Sequence, residues 1–186
     1  MHYNPEGDNS MNNIAVIYKS NYGTTKQYAD WIAEALGADL FESSSIKPEK
    51  LMTYDIVVYG GGLYASGILG VDLVIKNPCN RLVIFTVGLA DPDTTDYTEI
   101  LTKTLPADLR NTVKVFHLRG GIDYKKLGFI HKKMMAMLKK QLDKKPVQER
   151  TEENKYFLET YGDKIDFTSK KTIVPITTYV QTLRRM

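Results

Sequence analysis

The chain predicts a three-layer α/β sandwich, a five-stranded parallel sheet with helices on both faces. Three observations carry this. Continuous apolar runs rich in β-branched residues, at 14–18, 55–60, 81–87 and 113–118, are separated by helical stretches; strands buried on both faces read as such runs rather than as alternations. Parallel strands need crossovers, and right-handed crossovers place helices above and below a sheet. Glycine and small polar residues follow the first, third and fourth runs, at the carboxyl ends where ligands sit when the strand order reverses.

Taken in order, the polar stretch 1–13 is expected to be a disordered tail, with Met11 a candidate translational start. The first strand, 14–18, leads to a helix over 24–36 that places Tyr28, Ile32, Ala33 and Leu36 on one face. A short second strand at 39–41 precedes a brief helix near 50–52, started by Pro48. The third strand, 55–60, ends in glycines, and a weak helix over 67–76 is stopped before Pro78. The fourth strand, 81–87, a helix over 94–104 and the fifth strand, 113–118, complete the sheet. A final helix over 169–184 uses Ile173, Ile176, Val180 and Leu183, and Pro175 within it is expected to bend it. Between the fifth strand and that helix lies an insertion, about 119–168. It opens with Gly120-Gly121-Ile122-Asp123-Tyr124 and continues into a helix bearing Leu127, Phe129, Ile130, Met134, Met135, Met137, Leu138 and Leu142 among lysines. A second helical segment follows at 152–161.

A chain of 186 residues, 42% hydrophobic and 25% charged, suits one well-buried core, so residues 14–186 are read as one domain. No apolar run approaches the roughly twenty residues that span a bilayer, and 1–11 lacks an apolar signal core, so a cytoplasmic location is expected. Cys79, the single cysteine, excludes an internal disulfide and a cysteine metal cluster. It reads as a half-buried, inert thiol. The net charge of +3 is concentrated in Lys125, Lys126, Lys132, Lys133, Lys139, Lys140, Lys144 and Lys145, among which Asp123 and Asp143 are the acids. That basic face suits an anionic partner, with membrane-surface contact through Lys125–Lys145 one expectation and no nucleic-acid partner expected. His2, His117 and His131 form neither a triad nor a metal set, and no catalytic side chain is assigned.

The chemistry concentrates in Ser20-Asn21-Tyr22-Gly23-Thr24-Thr25, the junction between the first strand and its helix. A helix N-terminus presents unpaired backbone N–H groups, and Gly23 lets the loop turn so that these converge with the hydroxyls of Ser20, Thr24 and Thr25. A phosphate fits there. Lys19 and Lys26 flank the loop, but the Gly-Lys-Ser/Thr ending of a triphosphate loop is missing, which argues for a monophosphate.

This loop resembles that of the flavodoxin family, Ser/Thr-x-Thr-Gly-x-Thr, matching it at Ser20, Gly23 and Thr25, with Tyr22 where the family has its central threonine. The resemblance implies a flavodoxin-like fold, with the five strands in the order 2-1-3-4-5, and non-covalent FMN, its phosphate held by residues 20–25. It further implies that the loop after the third strand, with Gly61, Gly62, Leu63, Tyr64 and Ala65, presents Tyr64 to stack on the isoalloxazine ring. The loop after the fourth strand, with Gly88, Leu89 and Ala90, would offer its amides to the flavin's polar edge. Gly60, Gly62 and Ala65 also match a dinucleotide fingerprint, but no acid follows about twenty residues later to hold a ribose.

The Gly-rich opening and basic, Met-rich helix of the insertion are similar in layout to the flavodoxin-type protoporphyrinogen dehydrogenases, which pass electrons from a porphyrinogen to a membrane quinone. Three functions follow from these readings. One is an FMN redox protein serving a partner protein or a small electron donor or acceptor. Another is a porphyrinogen dehydrogenase, peripheral at a membrane; the third is a ligand-free interaction module.

Overall fold

A computed structural model describes residues 13–185. The tail expected over 1–13 lies outside the described residues except for Asn13, which is tied to the sheet: its N–H donates to Asp55 Oδ2 at 2.9 Å and its carbonyl accepts from the Asp55 N–H at 2.9 Å.

Five parallel strands, β1 (Ile14–Lys19), β2 (Asp39–Glu42), β3 (Ile56–Tyr64), β5 (Leu82–Gly88) and β6 (Lys114–Arg119), lie in the order β2-β1-β3-β5-β6, which is the expected 2-1-3-4-5. A sixth, β4 (Gly67–Ile68), pairs antiparallel with the end of β3 through Leu63↔Ile68 and Tyr64↔Gly67. The glycine-rich stretch is therefore a strand and hairpin rather than a loop. Glycines at φ 121° (Gly67) and φ 70° (Gly70) turn the chain, so the helix expected over 67–76 is confined to α2 (Asp72–Lys76).

Alternate residues of the strands build two cores. On one face Val16, Val58 and Phe85 meet Tyr28, Ile32 and Leu36 of α1 (Thr24–Leu36) and Ile176 and Val180 of α7 (Val174–Arg184). On the other, Ile17, Tyr59 and Ile84 meet Leu51, Val74 and Leu105. Burying each large aliphatic side chain fully is worth about 1.5–3 kcal/mol. α1 ends on Gly37 at φ 60°, whose N–H bonds the last-turn carbonyls.

The remaining helices depart from expectation in their ends. α3 (Thr98–Thr104) starts late, and α4 (Ala107–Thr112) follows Pro106 as a separate helix. The final helix begins as a 3-10 turn at Lys170–Ile173, and Pro175 sits in the first turn of α7, where a missing N–H costs nothing and no bend is needed. No helix among the described residues is long and apolar enough to cross a membrane.

The insertion is anchored at its stem. β7 (Gly121–Asp123) and β8 (Lys164–Asp166) pair antiparallel, enclosing α5 (Phe129–Asp143) and α6 (Glu152–Glu159). The Tyr28 hydroxyl donates to the Arg119 carbonyl at 2.8 Å and accepts from the Ser169 N–H at 3.2 Å, so one core phenol holds both the exit from the sheet and the return.

His117, on β6, is half-buried, hydrogen-bonded to Thr86 Oγ1 at 2.6 Å and stacked on Tyr97 with centroids 3.6 Å apart. Burial lowers its pKa from 6.5 to about 4. The unfolded chain therefore takes up a proton first as pH falls, and the stability contributed by the neutral ring is complete above about 6.5 and lost toward 4. Thermal melts across that window should fall more steeply for the wild type than for His117→Gln. Equal slopes would show that the ring does not titrate with folding.

Candidate functional site

At the carboxyl ends of β1, β3 and β5 lies a cavity of about 310 Å³, within the few-hundred-Å³ range of small-molecule sites. Its floor is the 20–25 loop. Gly23, the N-cap of α1, adopts φ 96°, a left-handed conformation that favours glycine, and no side chain caps the helix. The Gly23 N–H donates to Ser20 Oγ at 3.0 Å, which leaves the Ser20 hydroxyl proton to point elsewhere. Thr24 and Thr25 line the cavity beside Ser20, and Thr25 is buried.

Both flanking cations are engaged away from the loop: Lys19 pairs with Glu42 at 3.0 Å and Lys26 with Asp30 at 2.9 Å. The donor set is therefore backbone N–H and hydroxyl, with the helix dipole behind it. This suits a compact anion that needs no lysine, the partial positive end of α1 contributing about 0.3–1 kcal/mol.

Gly62, Leu63, Tyr64 and Ala65 from the end of β3, and Val87, Gly88 and Leu89 from β5, form the apolar sides. Tyr64 is oriented by its hydroxyl, which accepts from Asn21 Nδ2 at 3.3 Å, and burial raises its pKa. Of the residues singled out in the sequence, three do not line the cavity. Gly23 shapes the turn beneath it. Gly61 faces the hairpin, where a Cβ would stand 2.5 Å from Ile68 Cγ2 and 2.8 Å from the Leu69 carbonyl oxygen. Ala90 lines a neighbouring cavity. The β5 loop carrying Leu89 and Ala90 is held by Arg119, whose Nε donates to the Leu89 carbonyl at 3.1 Å while its terminal nitrogens pair with Asp91 and Glu153.

Sequence reasoning missed the fourth wall. Gly120, Gly121 and Ile122, then Leu127 and the α5 residues His131, Met134, Met135 and Leu138, close the cavity from the insertion side. The signal was there in the spacing of 131, 134, 135 and 138, one stripe of a helix. Gly120 sits close to the floor: a Cβ on it would be 2.7 Å from Val87 Cγ1 and 3.3 Å from Thr24 Oγ1.

Tyr22 joins floor and wall. Its hydroxyl hydrogen-bonds His131 Nδ1 and accepts from the Gly128 N–H at 3.2 Å, just before α5 starts. The His131 ring lies parallel to Tyr64, centroids 5.1 Å apart. A ligand ring stacking on that face of Tyr64 must displace His131. Tyr22→Phe removes both hydrogen bonds, worth about 0.5–1.5 kcal/mol each. Amide exchange of residues 128–132 should accelerate in this variant; unchanged protection would mean that α5 is held by other contacts.

No curated protein sequence matches the chain. A family model described as a flavodoxin domain matches residues 15–149, well over half of the chain. Among solved structures, the chain is similar to a flavodoxin from the domain Archaea at 18% identity, covering 57% of this chain and 82% of that one with a TM-score of 0.42. It is also similar to a flavoprotein in complex with FMN from Lactobacillus acidophilus, at 12% identity over 58% of this chain and 92% of that one, TM-score 0.40.

Proposed function

We propose that this chain, which belongs to the flavodoxin domain family, binds FMN non-covalently in the 310 Å³ cavity and exchanges electrons with a redox partner through it. The observation that supports this most is the uncapped start of α1 opening into an apolar, aromatic-sided cavity with its flanking lysines paired elsewhere. Residues 20–25 would hold the phosphate, and Leu63, Tyr64 and Leu89 would flank the ring. FMN, when bound, supplies one- and two-electron chemistry; the chain's residues orient it and exclude water, and none of them is required to move a proton. Reconstitution tests the reading. Adding FMN to the chain should perturb its visible spectrum to a one-to-one end point, reversibly bleached by dithionite. An FMN spectrum unchanged by the protein would select the ligand-free interaction module instead.

A second reading, dehydrogenation of a porphyrinogen with electrons passed to a membrane quinone, is favoured by the outer face of α5. Phe129 and Ile130 are 83% and 72% exposed, beside Lys132 and Lys133. Lys125 and Lys126 precede the helix rather than lying on it, and Lys139 is paired with Asp143 at 2.7 Å. An apolar tip with flanking cations suits an anionic lipid surface. Sedimentation with phosphatidylserine vesicles at low salt should carry the chain down, and Lys132→Gln/Lys133→Gln should release it. Absence of sedimentation would leave α5 as a wall of the cavity with a solvated face.

A further inference from the structure

Behind the first cavity lies a second, a solvent-open cleft of about 330 Å³, lined by the insertion and the loop after β5. Leu89, Ile122, Met135 and Leu138 line both, so a single layer of apolar side chains separates them. Its remaining walls are mainly apolar and aromatic: Leu142, Tyr156, Phe157, Ile165 and Phe167 among them. The rings fall into two groups, Tyr156 and Phe167 with centroids 5.8 Å apart, and Phe157 and Tyr124 meeting at Tyr161.

We infer that this second cavity is a binding site for a small, neutral, flat apolar molecule of one or two fused rings, held beside the cofactor cavity. Its placement beside a cofactor rests on the reading of the first cavity as the cofactor site. Size and charge argue for it. An apolar cavity of about 150 Å³ accepts benzene, and the volume here is roughly twice that, which scales to a two-ring compound.

The charges at its rim also select against an anion. Arg119 stacks on Phe167 at 3.8 Å and is held by Asp91 at 3.4 Å and Glu153 at 3.7 Å. Its single positive charge is more than matched by the two carboxylates, so a negatively charged ligand would meet a net negative rim. Asn154 and Tyr124 leave one amide and one phenol for a polar substituent on an otherwise apolar ring.

The test uses the full chain and the uncharged dye N-phenylnaphthylamine, with its anionic relative anilinonaphthalene sulfonate for comparison. The neutral dye should bind with enhanced fluorescence, at least tenfold tighter than the sulfonate, and saturating FMN should not displace it. Two variants fill the space from opposite walls, Leu142→Trp on α5 and Ile165→Phe on β8; neither residue lines the first cavity. Each should weaken the dye at least tenfold while leaving FMN affinity at the wild-type value, which also shows that the variant is folded. Dye binding untouched by both variants, competed by FMN, or equal for the two dyes would overturn the site. A chain that binds the dye as described but never FMN would instead overturn the cofactor reading and leave the second site standing.

Discussion

Gly60→Ala should be the most damaging single methyl in the protein. Gly60 lies in the middle of β3, paired with Tyr18 on β1 and Phe85 on β5, and a Cβ built on it would stand 2.1 Å from Phe85 Cζ and within 2.6 Å of both Cε atoms. Phe85 is fully buried among Val16, Tyr28 and Ile176, so the ring has nowhere to swing. Overpacking of this kind costs about 1–3 kcal/mol and sometimes more, against a total stability on the order of 5–15 kcal/mol. A fall in Tm of about 2–12 °C is expected, at roughly 2–4 °C per kcal/mol for a chain of this size. Gly88→Ala is the control, since its Cβ would make an ordinary 3.6 Å contact with Leu63 Cβ and should shift Tm little. Phe85→Leu combined with Gly60→Ala should cost less than the two separate losses added, because the shortened side chain vacates the space the methyl needs. Strict additivity would show that the ring and the glycine are not in contact.

The second large effect is on ligand affinity. Ser20→Ala/Thr25→Ala removes two hydroxyls from the floor of the cavity, and hydrogen bonds to a charged group are worth about 1.5–3 kcal/mol each. FMN should bind about 100-fold or more weakly, since 1.4 kcal/mol is a factor of ten, whereas riboflavin, which lacks the phosphate, should bind as before. Because Thr25 is buried, its replacement also needs a melt to show that α1 is intact. A variant that loses both ligands equally would place the damage in the fold of the loop and not in phosphate contacts.

Why these two sites were legible in the chain to different degrees is a matter of locality. The Ser20–Thr25 turn is a local event: an apolar run, a glycine that must turn left-handed, and a helical stripe of Tyr28, Ile32 and Leu36 follow one another in sequence, and the structure builds β1 and α1 from them. The alternation of strands and helices was readable for the same reason, and the strand order followed from the family resemblance, although β4 interrupts the path from β3 to β5 and two helices, α3 and α4, join β5 to β6. Glycines at the end of the third strand suggest loop material, but glycine has a second use: Gly60 lets a phenylalanine ring pack flat on the strand, and Gly61 lets the hairpin close against it. A two-residue strand such as β4 carries no periodicity at all, and its existence depends on the partner strand alone.

The wall made by the insertion was legible as a helix but not as part of the site. The apolar stripe through His131, Met134, Met135 and Leu138 is as clear as that of α1, yet nothing in a linear pattern says which surface it covers. Tyr22 held the missing information. It departs from the family's threonine, and the structure uses its phenol to reach His131 and the Gly128 N–H more than a hundred residues along the chain. A long side chain where a small one is expected was thus a sign of a tertiary contact.

The central claim is that residues 20–25 form a phosphate site, and the most direct measurement is a paired titration of the cofactor-free chain with FMN and with riboflavin, followed by flavin fluorescence. The two ligands share the ring and the ribityl chain and differ in the phosphate alone. Backbone donors at an uncapped helix start, with hydroxyls beside them, should make FMN bind at least about 100-fold tighter. Equal affinities, or a preference for riboflavin, would contradict it.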